Sequence, residues 1–233
     1  VLKTYKIFIG GQFPRTESGR YYPLKLKNNM TVNVSLSSRK DFRNSVLAAR
    51  SAFSGWSSRA AFNRGQILYR IAEMLEGRKD QFLEELKQLG YTPANAKKEV
   101  EQSIDRLVYY AGWCDKYQQL FSSVNPVATS HFNFSVPEPM GVVAILADES
   151  TALLGLVSVI APAIAGGNTC IVLASESKPT CSITFAEVIA TSDVPGGVVN
   201  IVTGSRKELH SHFSSHMDVN AIINCNSEKD FNK

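Results

Sequence analysis

The sequence predicts an α/β protein, an open parallel sheet with helices on both faces, preceded by a helical segment and an N-terminal β arm. Three observations carry this prediction. Runs of Val, Ile and Leu recur in the second half of the chain, helical segments separate them, and glycines and prolines mark the breaks. Strands that are buried on both faces need continuous apolar runs, and parallel strands need crossover connections that are usually helical.

The predicted sheet belongs to the last region of the chain, residues 139–233. Its four strands are expected at residues 141–147, 170–174, 198–203 and 221–225. Helices are expected between them, at residues 152–165, 182–191 and 206–215. Right-handed crossovers are the common way to join such strands, so the helices are expected to cover both faces of the sheet.

Two regions with other patterns are predicted ahead of the sheet. Residues 1–38 combine short β-like pieces at 5–9 and 31–36 with turn-rich stretches and are expected to form an extended arm. Residues 39–122 show helical periodicity.

Within the helical segment, Asp41 is expected to cap a first helix that buries Phe42, Val46, Leu47 and Phe53. One long helix is expected from Ile67 to Gly90. Pro93 is expected to open the next helix, because proline is tolerated at a first helical position.

Residues 123–138 form a short region with strand-like alternation. Phe132, Phe134 and Val136 alternate with polar residues between two prolines, Pro126 and Pro137. This pattern predicts one exposed strand or half a hairpin. A lone strand cannot bury its apolar edge, so the strand is expected to pair across a subunit or domain boundary.

Composition excludes several classes of protein. The 233 residues include 25 Lys and Arg against 21 Asp and Glu, a formal net charge of +4 that is spread along the chain. Neither nucleic acid nor a membrane surface is an expected partner, because no block of positive charge is present. The longest apolar stretch, residues 153–166, is shorter than the ~20 residues of a membrane span. With no secretory signal and four widely spaced cysteines, the expected location is cytoplasmic.

Three histidines near the end of the chain have a spacing that a metal site could use. His212 and His216 share a helical face, and His210 and Asp218 are close in sequence. No cysteine or second carboxylate joins them, so these side chains are expected to be solvated and no metal is expected.

Four motifs together carry a resemblance to a known family. They are EPMGVVAIL at 138–146, APAIAGGNTCIVL at 161–173, VPGGVVNIVTG at 194–204 and SSHMDVNAI at 214–222. In this order and spacing they resemble the Rossmann-like NAD-binding domain of the aldehyde dehydrogenase superfamily, and residues 56–86 resemble its preceding helical segment. The resemblance implies chemistry by a cysteine nucleophile, an oxyanion-binding Asn and a general-base Glu, with NAD as hydride acceptor. The nucleophile and the base would lie past residue 233.

The sequence departs from the family at the oxyanion position. The Asn is replaced by Ser150, and Asp148 and Glu149 precede it. Carboxylates beside a developing negative charge oppose it, and a serine hydroxyl has a shorter reach than a carboxamide. No catalytic residue is therefore expected in this chain.

The cofactor contacts implied by the family are also degraded. The ribose-binding Lys is replaced by Leu173, although Glu176 is kept, and Arg206 lies in a stretch where the family has glycines. The turn after the fourth strand has lost both of its glycines and keeps Ser227. Glu176 and Ser227 are thus at most remnants of a cofactor site. No cofactor is expected, and NAD is at most a weak or ancestral ligand.

The sequence resembles most the non-catalytic C-terminal unit of family-16 aldehyde dehydrogenases. It is therefore expected to be a structural, oligomerisation or protein-interaction module, with a second copy or an adjoining aldehyde dehydrogenase unit as partner. One alternative is a part of an NAD(P)-dependent dehydrogenase that oxidises aldehydes to carboxylic acids with a catalytic domain outside this chain. Another is a domain that binds a different nucleotide, because helix N-termini above a parallel sheet attract anions.

Overall fold

The structure is a computed structural model that describes residues 4–27 and 29–225. The arm forms a three-stranded sheet in the order β1-β3-β2, made by β1 (Thr4–Tyr5), β2 (Tyr21–Lys25) and β3 (Thr31–Ser35). The sequence did not predict β2, which contains Pro23. Proline is tolerated in an edge strand, and β2 lies at the edge of this sheet.

Five helices follow the arm: α1 (Arg39–Ser57), α2 (Ala61–Gly77), α3 (Lys79–Gln88), α4 (Pro93–Trp113) and α5 (Tyr117–Phe121). Pro93 opens α4 as predicted. The single helix expected from residue 67 to 90 is wrong, because the chain leaves helical geometry at Arg78. Gly77, a poor helix former, immediately precedes this break.

The start of α1 also differs from the prediction. Ser38 is the N-cap residue, and Asp41 lies in the first turn, where its carboxylate accepts a hydrogen bond from the Ser38 amide at 2.7 Å. Asp41 thus supports the cap from within the helix. Leu47 was expected to be buried and is 57% exposed. The buried face of α1 instead runs through Val46 and Ala49 to Trp56.

A β-hairpin follows α5. Strands β4 (Ser123–Asn125) and β5 (Asn133–Ser135) pair antiparallel, with Val124 opposite Phe134. Of the two predicted forms, the structure has the hairpin. Its apolar side chains are exposed, because the hairpin packs against no other strand of the described residues.

The main sheet confirms the predicted fold. Its elements in chain order are β6 (Val142–Leu146), α6 (Leu154–Ala165), β7 (Thr169–Leu173), α7 (Thr180–Ala190), β8 (Val199–Val202), α8 (Arg206–Ser215) and β9 (Ala221–Asn224). All strand pairs are parallel, in the order β8-β7-β6-β9. The strand order reverses between β6 and β9, where open α/β sheets form a crevice.

Helices cover both faces of this sheet. Val143 and Ile145 of β6 pack into one apolar cluster with α2, α3, α4, α6 and α7. Val142, Ala144 and Leu146 alternate with them and pack into a second cluster with α1 and α8. No helix of residues 4–27 and 29–225 is long and apolar enough to cross a membrane.

Candidate functional site

The candidate site lies at the carboxyl ends of the parallel strands. The loop after β6 carries residues 148–150, the loop after β7 carries residues 175–178, and α8 begins at Arg206 after β8. These loops meet because β6, β7 and β8 are neighbours in the sheet and all end at the same edge. Ser227, the other predicted remnant of a cofactor site, lies outside the described residues.

The Glu149 carboxylate is the centre of a hydrogen-bond cluster. It accepts bonds from the hydroxyls of Ser175 at 2.6 Å and Ser177 at 2.9 Å. The backbone amides of Glu176 and Ser177 donate at 2.9 and 3.3 Å. The Arg206 guanidinium completes the set at 2.8 Å. Five donor groups at this edge of the sheet are therefore bound to one carboxylate of the chain itself.

This environment favours the ionised form of Glu149. Burial alone raises the pKa of the carboxyl, but hydrogen bonds from Ser175, the Glu176 amide and Ser177, together with the charge of Arg206, outweigh it and lower the pKa below its ordinary value. A carboxyl whose pKa is lowered by folding stabilises the folded state above its unfolded-state pKa, and that contribution is lost as the pH falls through the folded-state pKa.

We therefore expect acid to weaken the fold partly through Glu149. Above the unfolded-state pKa of about 4.3, the contribution of Glu149 should be constant, and it should decline at lower pH. The variant Glu149→Gln should lose this part of the pH dependence. Urea denaturation at pH values from neutral to acidic measures the free energy of unfolding of the wild type and of Glu149→Gln. If this free energy depended on pH in the same way in both proteins below the unfolded-state pKa, the expectation would be contradicted.

Glu176 does not point freely into the site. Its carboxylate accepts a hydrogen bond from the Arg206 backbone amide at 3.0 Å, at the first residue of α8. Its carbonyl accepts a bond from the Tyr22 hydroxyl at 3.0 Å. Glu176 was predicted as at most a remnant of a cofactor site, and here its carboxylate satisfies an amide at a helix N-terminus.

Arg206 links the loops around a cavity of about 540 Å³. Its guanidinium bonds to Glu149 and to the carbonyl of Ala147 at the end of β6. Its Nη1 atom is buried and has no hydrogen-bond partner among the described residues. The cavity is lined by residues of β2 and of the three loops: Tyr22, Pro23, Leu24, Glu149, Glu176, Ser177 and Arg206.

Ser150, at the predicted oxyanion position, is bound within its own loop. Its hydroxyl donates to the carboxylate of Asp148, which also accepts bonds from the amide and the hydroxyl of Thr151, both at 3.2 Å. Burial alone raises the pKa of Asp148, but the bonds from Ser150 and Thr151 lower it overall. The Ser150 hydroxyl is therefore already hydrogen-bonded to a carboxylate of its own loop.

The first turn of α6 is occupied by Glu99, which sequence reasoning missed. This buried carboxylate accepts bonds from the amides of Ala152, Leu153 and Leu154 at 2.9, 2.8 and 3.3 Å. A negative charge is favourable at a helix N-terminus. The one indication in the sequence was the position of Glu99 itself, a charged residue next to Val100 on the apolar face of α4. These bonds also explain why α6 begins at Leu154 and not at the predicted residue 152.

The thiols and histidines of the described residues make no reactive or metal-binding cluster. All four cysteines are free, and Cys114, Cys170 and Cys181 are buried. Burial raises the pKa of Cys114 to about 11 and that of Cys170 to about 12. These thiols are therefore protonated at neutral pH and are poor nucleophiles. Within residues 4–27 and 29–225, no three His, Cys, Asp or Glu side chains are placed to hold a metal ion.

Comparison with known proteins assigns the chain to a family. The model of the aldehyde dehydrogenase family matches residues 18–229. The chain belongs to the aldehyde dehydrogenase family. This confirms the resemblance seen in the four sequence motifs.

Relatives within the aldehyde dehydrogenase family include enzymes and a crystallin. The chain is 32% identical over 229 residues to cytosolic 10-formyltetrahydrofolate dehydrogenase of Mus musculus, and the match covers 94% of this chain and 25% of that protein. It is 31% identical to omega-crystallin of Nototodarus sloanii, covering 95% of this chain and 45% of the crystallin. The chain thus spans a quarter to a half of the length of these relatives.

Solved structures of the aldehyde dehydrogenase family share the fold. A mutant aldehyde dehydrogenase of Bacillus cereus superposes with a TM-score of 0.90 at 23% identity, over 95% of this chain and 46% of the other. The HpcC protein of Thermus thermophilus superposes with a TM-score of 0.89 at 26% identity, over 94% of this chain and 43% of the other.

Proposed function

We propose that this chain is a non-catalytic unit of the aldehyde dehydrogenase family that acts as a structural and oligomerisation module. The observation that carries the proposal is the bonding of Glu149. Dinucleotide phosphates and sugars are bound by backbone amides, hydroxyls and cations. At this sheet edge the amides of 176 and 177, two hydroxyls and Arg206 all bond to Glu149.

The other contacts that the family implies for NAD do not fit the cofactor either. Leu173 is fully buried in the core and carries no donor. The Glu176 carboxylate accepts a hydrogen bond from the Arg206 amide at the start of α8, and the Ser150 hydroxyl donates a hydrogen bond to the Asp148 carboxylate. Burying a sugar hydroxyl without a partner costs about 1–3 kcal/mol, so several such losses together weaken a cofactor site severely. The contacts of these residues support the proposal that the chain functions without NAD.

The hairpin β4–β5 supports the assembly part of the proposal. Phe132 is 74% exposed, Val124 70% and Phe134 57%. The two phenylalanine rings lie 5.4 Å apart, next to Val136, and form one apolar surface. Exposed apolar patches of this kind mark protein interaction sites. We propose that a second copy of the chain or an adjoining aldehyde dehydrogenase unit covers this surface.

Replacing Phe132 and Phe134 together by Asp is expected to abolish self-association of the chain. The charges would have to be desolvated at the interface, which costs several kcal/mol. Light scattering after size-exclusion chromatography, over a range of concentrations, measures the mass. Phe62→Asp is the matched control, because Phe62 is 66% exposed on α2, outside the hairpin. Dimers in the double variant, or monomers for the wild type at every concentration, would contradict the proposal that a second copy of the chain covers the hairpin.

A second candidate is a part of an NAD-dependent aldehyde dehydrogenase. It is favoured by relatives that are named dehydrogenases and by a fold that superposes with a TM-score of 0.89 on an NAD+ complex of the Bacillus cereus enzyme, at 23% identity. In that case the catalytic residues would be supplied by other parts of a longer protein. The cytoplasmic location is compatible with both candidates and stays a prediction.

Calorimetric titration with NAD separates the two candidates. We expect no binding at concentrations up to about 1 mM, because lost contacts weaken binding tenfold per 1.4 kcal/mol. An active aldehyde dehydrogenase titrated in the same buffer is the positive control, and circular dichroism verifies that the chain is folded. AMP and ATP in the same series test a site for another nucleotide. A dissociation constant for NAD in the low micromolar range would favour the dehydrogenase candidate.

A further inference from the structure

The excess positive charge of the chain is concentrated in the N-terminal arm and the first residues of α1. Residues 1–40 contain eight Lys and Arg and one acidic residue, Glu17, whereas the rest of the chain contains 17 Lys and Arg against 20 Asp and Glu. The charge is therefore not spread evenly, as the absence of long Lys and Arg runs suggested. A surface of one sign attracts ligands of the opposite sign.

The sheet of the arm has one face toward the core and one outer face. Side chains alternate between the two faces along each strand. Tyr5 of β1 and Val34 of β3 pair with each other and are both buried. Lys6 and Ser35, which follow them, therefore lie on the outer face, where Ser35 is paired with Tyr21 of β2. No strand of this sheet contains an acidic residue, so its outer face carries positive charge only.

A cavity of about 290 Å³ lies on this outer face, and we call it the arm cavity. Three basic side chains line it, those of Lys6, Arg15 and Arg20. Arg20 is paired with Glu208, but Lys6 and Arg15 form no ion pair with any of the described residues. The arm cavity shares no lining residue with the cavity beside Glu149.

A nearly buried hydroxyl also lines the arm cavity. Ser35 is 4% exposed, and its hydroxyl forms no hydrogen bond with the described residues. A buried hydroxyl without a partner is costly, and a ligand that brings an acceptor removes this cost. Two cations without counter-ions and a hydroxyl without an acceptor are the groups that bind an oxyanion.

We propose that Lys6, Arg15 and Ser35 form a binding site for a phosphate monoester. The two positive charges match the charge of a phosphate monoester, which is close to −2 at neutral pH. The exposed ring of Tyr21 also lines the arm cavity and offers a surface to the organic group of the ester. A free phosphate ester and a phosphorylated side chain share this chemistry. The inference does not depend on the proposed function.

Calorimetric titration of the whole chain tests the site, with inorganic phosphate, phenyl phosphate and a phosphoserine peptide as probes. The double variant Lys6→Ala, Arg15→Ala should bind each probe at least about tenfold more weakly than the wild type. Ser35→Ala should weaken binding by about three- to tenfold. Tighter binding of phenyl phosphate indicates a free ester as ligand, and tighter binding of the peptide indicates a phosphorylated protein. Both results support the site if the double variant weakens them.

The double variant Lys25→Ala, Lys27→Ala is the matched control. It removes the same two charges from the same arm, but neither lysine lines the arm cavity, so binding should stay within about twofold of the wild type. Circular dichroism verifies that the variants are folded, and Arg15→Gln alone replaces the first double variant if that chain does not fold. Titration of the same variants with AMP separates the arm cavity from a nucleotide site at the sheet edge.

Two results would overturn the inference. One is a folded wild-type chain that binds neither inorganic phosphate nor phenyl phosphate at concentrations up to about 10 mM. The other is an equal loss of binding in the two double variants, because the attraction would then come from the charge of the arm and not from a site. The proposed function is tested separately by the NAD titration, which does not use these variants.

Discussion

The variant Glu99→Ala is expected to lower the free energy of unfolding by about 3 kcal/mol. Glu99 is 7% exposed, and its Oε1 atom accepts three amide bonds from the first turn of α6. Removing it leaves these amides without an acceptor, and each buried unpaired group costs about 1–3 kcal/mol, less where water enters. Glu99→Gln keeps an acceptor oxygen without the charge and should cost less. Urea denaturation followed by circular dichroism measures both variants.

Glu101→Ala is the matched control, on the same helix two residues further. The Glu101 side chain is 44% exposed and pairs with Lys79 and Lys97. Surface ion pairs contribute little, so this variant should unfold close to the wild type. If Glu99→Ala were as stable as Glu101→Ala, the Glu99 carboxylate would not stabilise the first turn of α6 as described.

The variant Trp56→Ala is expected to cost about 3–5 kcal/mol of stability. Trp56 is 1% exposed, and its indole Nε1 donates to the Ile164 carbonyl at 3.0 Å, which joins α1 to the end of α6. The change leaves a cavity and removes the indole bond, while the Ile164 carbonyl keeps a bond from the Gly167 amide at 3.0 Å. Trp56→Phe keeps most of the volume but loses the bond, so it should cost about 1–2 kcal/mol. Thermal and urea unfolding followed by circular dichroism measure both.

Trp113→Ala provides the comparison within the same chain, whose sequence has 2 tryptophans. Trp113 is partly exposed at the end of α4 and contacts the ring of Tyr109 at a centroid distance of 6.0 Å. It should lose clearly less stability than Trp56→Ala, because a partly exposed site leaves no closed cavity. Equal losses at the two positions would contradict the packing described for α1.

The parallel sheet could be predicted because its strands carry their own signal. Val142–Leu146 and residues 170–173 are continuous apolar runs, and both are buried on every side as such runs require. Element ends were less predictable where a distant side chain decides them. The start of α6 depends on Glu99, which lies 53 residues before Ala152. The sequence pattern around residue 152 gives no indication of this contact.

The sequence indicated where the candidate site lies, but it did not predict the contacts that its residues make. The substitutions at Ser150 and Leu173 were visible in the motifs. The partners of Glu149 were not, because its carboxylate bonds to Arg206, 57 positions away, and to Ser175, 26 positions away. Loop side chains have no periodicity, so contacts between loops follow only from the strand order that brings them together.

The N-terminal arm has a consequence for the order in which the chain folds. Phe8 and Ile201 exchange two backbone hydrogen bonds of 2.8 Å, and the Gly10 amide donates to the Asn200 side chain, 190 residues away. Contacts between such distant positions form slowly. At typical synthesis rates the arm would leave the ribosome roughly 10–40 s before its partners on β8. During that time Phe8, which is 2% exposed in the folded chain, has no strand to pair with. We therefore expect the arm to dock only after β8 has been synthesised.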